Sequence, residues 1–493
     1  MNRQLTLLLA VALGAVLMSQ SGLMAVDTAT AELATLLLLL SGGPAVLWLW
    51  GGMRHLPVFE VYAFMHLIYY WQPAGKAGGT VLSLPQEERA VFLGAVSVFL
   101  AFGAVVNWAI LRSARPPAKG QRLWDREVPA MKGSQLPWLL LGFWLLYSTL
   151  FQYGTIWSLV PGTLFPLVRA LCVAAGMLGV FVTAHRVGEG GLHLVQKVAF
   201  VATVAAGTLL SFASGYLAVG TLFVGNAFFA YMIGARRLPV VSLTLFLLFV
   251  SFLNYGKQEM RARYWAMGES TDDLVEFYSH WFKSSWEQFN LPADRRGAAT
   301  SAFERANLTD VTARVITQSP YPLPFLGGKT YLDSLQLLVP RLIWPDRPSL
   351  HVFMNELGLR YGIHMDVEST ESTMISIGQV GEAWANGGWL GVSLAGAFFG
   401  MFYALAARLA GQRKIASIGF LFGMSFVGFA ANLEHLAGTL LMTFYQTAVA
   451  MLAVLYWFSR RTFVPLMPPK PSVRSVPEQS DPAQSPEATR IAR

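Results

Sequence analysis

Apolar runs of about 20 residues recur along this chain and constrain its fold more than any other feature. Each run is long enough for an α-helix to cross a bilayer whose hydrocarbon core is about 30 Å thick. Charged residues make up only 13% of the chain, against about 25% in soluble domains. The sequence therefore predicts a polytopic, all-α membrane protein.

The runs predict about twelve transmembrane spans, at residues 5–26, 32–52, 57–73, 89–111, 136–158, 163–184, 196–215, 218–235, 238–256, 388–408, 415–432 and 437–459. Basic residues fill every second short loop, for example at 112–132, 236–237 and 408–414. The intervening short loops are acidic or neutral, except at Lys76. This alternation follows the positive-inside rule and predicts that both termini are cytoplasmic. We expect the first span to remain uncleaved.

One external loop, residues 257–373, is far longer than the others, which is typical of a functional loop or small subdomain. The predicted organisation is nine spans in 1–256, a large external subdomain in 257–373, three spans in 374–459, and a disordered cytoplasmic tail in 460–493. Within the loop, residues 271–289 have helical apolar spacing, with Thr271 as the expected N-cap. We expect this helix to lie on the membrane or to cover a cavity.

Basic residues stand where the ninth span enters this loop, in the stretch YGKQEMRARYW. Lys257 and Arg261 are four residues apart and share a helix face, and Arg263 follows them. Like charges on one face repel each other unless an anion lies between them. The stretch predicts an anion site, with a solvated basic cluster as the alternative.

A second basic stretch, PRLIWPDRP at 340–348, is stiffened by its prolines. It presents Arg341 and Arg347, whose guanidinium groups can bind phosphate bidentately. Trp344 suits the membrane interface and could stack on a sugar face. The alternative is an interfacial turn in which Asp346 pairs with one arginine.

A third stretch, GQVGEAWANGGWLG, precedes the tenth span. Glu382 and Asn386 share a helix face there, and the carboxylate could accept a proton or form a structural pair. His435 and Glu434, in NLEHLAG, are predicted at the same side of the membrane. Inside the spans, Arg169 is the main ionisable candidate, although snorkelling of its side chain would also explain it.

Two further features exclude classes of partner. Cys172 is the only cysteine, so an intramolecular disulfide and a cysteine-ligated metal are excluded, and we expect neither a metal nor another cofactor. The net charge of +8 is explained by cytoplasmic loops, so we expect no nucleic acid partner.

Taken together, the three stretches resemble motifs of the Wzy-type oligosaccharide repeat-unit polymerases, the O-antigen and exopolysaccharide polymerase family. The shared patterns are Lys-x3-Arg leaving a span, Pro-Arg-x2-Trp-Pro-x-Arg-Pro in the long loop, and Gly-Glu-x3-Asn-x-Gly before the next span. LPVFEVYAFMHLIYYW, at 56–71, also resembles an early span of that family. The likeness covers roughly 50–459, and its specific part is 257–265 and 340–391.

The resemblance implies a metal-independent glycosyltransferase at the periplasmic face of the bacterial inner membrane, in a GT-C-like bundle. It would polymerise undecaprenyl-pyrophosphate-linked oligosaccharides, alongside a flippase and a chain-length regulator. Lys257, Arg261, Arg341 and Arg347 match the basic positions of the family, and Glu382 and Asn386 match its third motif. The chain departs from the family at Ser214-Gly215, where the family often has Ser-Arg, so a substrate contact made by that arginine is either absent here or supplied by Arg169.

The chemistry of such a transfer predicts residue roles. Arginines stabilise a pyrophosphate leaving group, and a carboxylate activates the attacking sugar hydroxyl. We expect catalytic roles for Arg341, Arg347 and Glu382. The expected substrate-binding residues are Lys257, Arg261, Arg263, Trp344, Asn386, His435 and Arg169.

Four other functions are considered. An O-antigen ligase would share the fold and the lipid donor, and the sequence does not separate it from a polymerase. A GT-C mannosyltransferase is disfavoured because the first external loop, DTATAE, is short. A flippase or transporter is disfavoured because no pair of broken helices or internal repeat is seen. A structural partner of a polysaccharide assembly remains an alternative.

Overall fold

The computed structural model describes residues 3–52, 55–113, 123–132, 135–161, 164–215, 217–266, 273–291, 307–339, 343–344, 346–348, 350–372, 375–411 and 414–460. Regular secondary structure in these ranges is helical, and the one β-bridge there joins Glu127 to Ser417. The predicted all-α fold is thereby confirmed.

The longer helices are Arg3–Gln20, Thr28–Trp50, Val58–His66, Gln86–Arg112, Gln135–Gln152, Phe165–Gly188, Leu194–Ala213, Leu217–Ala235, Val240–Arg261, Leu274–Asn290, Thr309–Gln318, Leu350–Arg360, Gly378–Ala410, Ile418–Ala430 and Ala437–Ser459. Short α-helices are Gln72–Ala74, Thr80–Ser83, Pro129–Lys132, Ile156–Leu159, Lys329–Ser334 and Val367–Ser372. Leu67–Trp71 and Ala262–Ala266 are π-helical, and Gly22–Ala25, Leu123–Asp125 and Leu335–Leu338 are 3₁₀-helical.

Each of the twelve predicted spans overlaps one of these helices. By length and composition, seven described helices could cross a membrane: Thr28–Trp50, Gln86–Arg112, Leu167–Gly188, Leu194–Ala213, Val240–Tyr264, Gly378–Ala410 and Ala437–Ser459. These seven helices support a membrane protein, and the count of twelve spans stays a prediction.

Contacts between loops group them into two ends of the bundle. At one end, the N–H of Val128 donates to the carbonyl of Ala416 at 2.8 Å, and Ile418 donates to Arg126 at 2.9 Å. These loops are among the basic ones of the sequence. Lys414 also pairs with Glu127 at 2.5 Å, so the loops predicted to be cytoplasmic at 112–132 and 408–414 meet in the fold.

The opposite end gathers the acidic and neutral loops. Gly22 donates to the carbonyl of Gly75 at 2.9 Å, and Arg89 bonds the Asp27 carboxylate at 2.9 Å. The long loop joins the same end, because the N–H of Leu308 donates to the carbonyl of Tyr69 at 3.1 Å.

Helix Gly378–Ala410 packs closely against Gln86–Arg112. A Cβ at Gly396 would lie 2.1 Å from the carbonyl oxygen of Phe99. A Cβ at Gly400 would lie 2.2 Å from that of Gly103. Small residues thus let the two backbones approach, as is common between membrane helices.

The same helix is kinked near its start. Gly388 has φ 53° and ψ −131°, a conformation that favours glycine. A Cβ there would also lie 2.8 Å from the Phe325 ring. Gly387 and Gly388 therefore form a kink in this helix. The kink separates the segment bearing Glu382 and Asn386 from the rest of the helix. We call the whole helix Gly378–Ala410 the kinked helix.

Described parts of the long loop pack on the bundle. Leu308, Ala313 and Val315 belong to the main apolar core. Helix Leu274–Asn290 begins later than predicted, because the Asp273 carboxylate accepts the N–H groups of Val275 and Glu276 at 2.9 and 3.1 Å. The N-cap is therefore Asp273, and the predicted N-cap Thr271 lies outside the described residues.

Candidate functional site

Glu382 lies before the kink and is only 1% exposed. Thr330 donates its hydroxyl to one carboxylate oxygen at 2.9 Å. The backbone N–H of Ala437 donates to the other oxygen at 2.7 Å. Ala437 begins the last helix, Ala437–Ser459, and an anion is stabilised at a helix N-terminus. Both oxygens of this buried carboxylate thus have a protein donor.

Asn386 completes the network one turn later. Its amide donates to the Thr330 hydroxyl at 2.7 Å and to the carbonyl of Glu382 at 2.8 Å. Its side-chain oxygen accepts the N–H of Gly328 at 3.1 Å. The predicted shared face of Glu382 and Asn386 therefore binds Thr330, at the start of helix Lys329–Ser334.

These bonds join three elements of the chain. The kinked helix supplies Glu382 and Asn386, helix Lys329–Ser334 supplies Thr330, and the last helix supplies the N–H of Ala437. We call the four residues the Glu382 network. Because each buried polar group in it is bonded, the network holds the long loop against the two helices.

Arg347 reaches the same last helix. One of its guanidinium nitrogens contacts the Met442 sulfur at 3.7 Å, and another donates to the carbonyl of Leu337. Met442 is five residues beyond Ala437 in the last helix. The structure therefore brings Arg347 and Glu382 to the first turns of one helix.

The rest of the proline-rich stretch is described in part. Trp344 is 40% exposed, and its carbonyl accepts the N–H of Arg347 at 3.3 Å. The indole is thus available at the surface beside a half-buried arginine. Arg341, predicted to be catalytic, lies outside the described residues.

Glu434 and His435 occupy the loop before the last helix. Tyr69 donates its hydroxyl to the Glu434 carboxylate at 3.4 Å, and Ser376 donates to the Glu434 carbonyl. The side chain of Glu434 remains exposed. Burial of its carboxyl raises the pKa of Glu434, whereas hydrogen bonding to Tyr69 and the positive charge of Lys257 lower that pKa. Glu434 is thus a surface residue whose carboxyl is partly desolvated, at the same end as the Glu382 network.

His435 is half-buried and lies 3.3 Å from the Asn432 amide nitrogen through Nε2. Burial lowers the pKa of His435 to about 4. The imidazole is therefore neutral near pH 7 and can act there as a hydrogen-bonding group rather than as a cation.

The three basic residues around the end of helix Val240–Arg261 interact with different partners. Lys257 acts electrostatically on Glu434. Arg261 donates from Nε to the carbonyl of Gly215 at 3.2 Å. Arg263 lies over the Tyr264 ring, 5.9 Å from its centroid. The contact between Arg261 and Gly215 falls where the chain departs from the Ser-Arg pattern of the polymerases.

Arg169 lies elsewhere. It is exposed beside Tyr147. Tyr147 belongs to a small apolar cluster with Ile156 and Cys172, separate from the main core. These contacts give Arg169 no connection to the Glu382 network within the described residues.

Three residues that shape the site carry no distinctive signal in the sequence. Thr330 links Glu382 to Asn386, while Tyr69 and Ser376 hold the loop of Glu434. Hydroxyl groups in loops and spans are common, and nothing in the local pattern marks these ones. Their partners lie far away in the chain, so only the fold identifies them.

Within the described residues, no group of three or more His, Cys, Asp or Glu is placed to hold a metal ion. Comparison with family models, curated proteins and solved structures finds no significant match for this chain.

Proposed function

We propose that this protein polymerises undecaprenyl-pyrophosphate-linked oligosaccharide repeat units at the periplasmic face of the bacterial inner membrane. The observation that carries the proposal is the approach of Arg347 and Glu382 to the first turns of helix Ala437–Ser459. Two motifs of the polymerase pattern, 35 positions apart in sequence, thus share one helix end. This end also holds the long loop, as a transfer between lipid-linked sugars outside the cytoplasm requires.

In the proposed reaction, a sugar hydroxyl of one unit attacks the anomeric carbon of the growing chain on its lipid carrier. The new glycosidic bond forms as the bond from that carbon to the pyrophosphate oxygen breaks. The leaving group is strongly anionic, and a fixed guanidinium stabilises the charge that develops on it. Arg347 is suited to this role, because its position is set by Leu337 and by the last helix. Arg341 is proposed as its partner on the same stretch.

The attacking hydroxyl loses a proton, which a carboxylate can accept. Glu382 is 1% exposed and has protein donors on both oxygens. Glu434 is exposed to solvent and lies near Lys257. We therefore assign the base to Glu434 and a positioning role to Glu382 and Asn386, which replaces the assignment expected from sequence.

The remaining polar residues are assigned to substrate binding. Arg261 brings a guanidinium to Gly215, where the polymerase pattern has its own arginine. Arg261 therefore replaces that group better than Arg169, whose described neighbour is Tyr147. Trp344, exposed near Arg347, is suited to stacking on a sugar ring.

The test is the glycan profile of cells that lack this gene, with and without the wild-type copy. A polymerase predicts single repeat units in the deletion strain and restored long chains on complementation. Long polymer retained on the lipid carrier would instead identify a ligase. Repeat units retained on the cytoplasmic side would identify a flippase, and an unchanged profile would contradict a role in this pathway.

A further inference from the structure

Helix Leu274–Asn290 of the long loop has three distinct faces. Phe277, Trp281, Ser284 and Ser285 are buried against the bundle. Glu276, Lys283 and Glu287 are exposed and charged. A third face is both apolar and exposed, with Val275 at 78%, Phe282 at 43% and Trp286 at 61%.

The exposed apolar residues form a narrow stripe. Residues seven and eleven positions apart, such as 275, 282 and 286, fall within about 40° of one another at 3.6 residues per turn. Phe289 extends the stripe and is 45% exposed. The charged residues lie on one flank of the stripe. An ordinary surface helix has one buried and one polar face, so a separate exposed apolar face requires another explanation.

The position of the helix along the bundle supplies that explanation. The Trp281 indole donates to the carbonyl of Leu253 at 2.7 Å, and Ser285 Oγ accepts the N–H of Gly256 at 3.2 Å. The Phe282 ring centroid lies 5.7 Å from that of Phe252. A Cβ at Gly256 would lie 2.6 Å from Ser285 Oγ, so glycine is needed for this approach.

These contacts lie on the uncharged stretch 240–256 of a helix that could cross a membrane. The first charged residue after that stretch is Lys257. Tyr278 also donates to the carbonyl of Leu209, in the neighbouring candidate span Leu194–Ala213. The helix therefore sits against the apolar part of two candidate spans. The stripe continues their exposed apolar surface, which includes Val201 at 63% and Leu248 at 62%.

We infer that helix Leu274–Asn290 lies in the membrane interface and that Val275, Phe282 and Trp286 contact lipid acyl chains. Its three faces then meet protein, lipid and water, as expected for an interfacial amphipathic helix whose apolar side enters the bilayer by about 5–10 Å. The long loop is thus held at the membrane surface by its own helix. This inference does not depend on the proposed enzymatic activity.

The test starts from a cysteine-free protein. Cys172 is the single native cysteine and is 2% exposed, and it is replaced as Cys172→Ala. Four variants each carry one introduced cysteine, in place of Trp286, Phe282, Lys283 or Val201. Each cysteine is labelled with a nitroxide, and the protein is placed in vesicles of phosphatidylethanolamine and phosphatidylglycerol. Collision rates with oxygen, which partitions into lipid, and with a water-soluble nickel chelate are measured by electron paramagnetic resonance. Val201 is the lipid-facing control and Lys283 is the water-facing control.

The labels at 282 and 286 are expected to behave like the Val201 label, with an oxygen-to-nickel ratio several-fold above that of the Lys283 label. Ratios equal to that at Lys283 would place the stripe in water and overturn the inference. Low rates with both reagents would also overturn it, because they would show that protein covers the stripe. If a variant at 282 or 286 does not fold, a cysteine at Val275 tests the same stripe.

Discussion

The carboxylate of Glu382 accepts the backbone N–H of Ala437 at 2.7 Å, across 55 positions of the chain. The bond joins the segment before the kink to the first residue of the last helix. Thr330 occupies the other carboxylate oxygen, so the long loop is held in the same network. The position of Arg347 depends on this arrangement, because it contacts the helix that Ala437 begins.

Replacing Glu382 by alanine should destabilise the fold. The N–H of Ala437 and the hydroxyl of Thr330 would lose their acceptor in a buried site, at a cost of roughly 2–4 kcal/mol. The free energy of unfolding, measured by chemical denaturation in mixed micelles, should fall by that amount. Glu287→Ala, at an exposed position, is the control and should change it by less than about 0.5 kcal/mol. Equal effects of the two variants would contradict the network.

Replacing Arg347 by lysine should abolish long polymer while leaving the protein folded. Lysine keeps the charge, but it lacks the forked guanidinium that can bond the carbonyl of Leu337 and the proposed phosphate at once. We expect the rate of chain extension to fall about 100-fold, as for the loss of a transition-state donor. Arg314→Lys is the matched control, since Arg314 also bonds a loop carbonyl, that of Gly362. Full-length polymer from the Arg347→Lys protein at normal abundance would refute the proposed role.

The rate of chain extension should depend on the ionisation of Glu434. In the proposed reaction Glu434 is the base and must be deprotonated, and burial raises the pKa of this carboxyl. The acid limb of the pH–rate profile should therefore lie above the usual carboxyl range. Lys257 lowers this pKa, so Lys257→Met should move the limb to higher pH. If the acid limb of the pH–rate profile does not move in Lys257→Met, Glu434 is excluded as the base. The same conclusion follows if the acid limb is unchanged in Glu434→Gln.

Protonation of His435 should weaken the fold in acid. The pKa of His435 falls from 6.5 to about 4 on folding, so the unfolded chain binds the proton more readily in that range. Stability should fall as the pH drops from 6.5 towards 4, by at most about 1.4 kcal/mol per pH unit from this group. In His435→Asn this part of the pH dependence should disappear, as unfolding measured at successive pH values would show. A slope unchanged by the substitution would assign the effect to other groups.

Much of the local structure could be predicted from the sequence. Apolar runs predict the positions of the helices, because burial in an apolar medium and helix length depend on composition over some 20 residues. Glu382 and Asn386 were predicted on one helix face, and both bind Thr330. The alternation of basic residues predicted that the loops at 112–132 and 408–414 lie on one side of the membrane, and the bond between Val128 and Ala416 is consistent with that prediction.

The site itself depends on which helices pack together. Lys257 and Arg261 are four residues apart on one helix, yet Lys257 interacts with Glu434 and Arg261 bonds the carbonyl of Gly215. Glu382 is equally suited by sequence to be a base or a structural pair, and its burial with two donors favours the latter. A side chain's local pattern sets the face it occupies, whereas its partner and its access to water are set by distant segments. For this protein, sequence alone determined a chain of apolar helices, several of them long enough to cross a membrane. The tertiary structure decided which charged side chains are buried against protein partners and which are exposed.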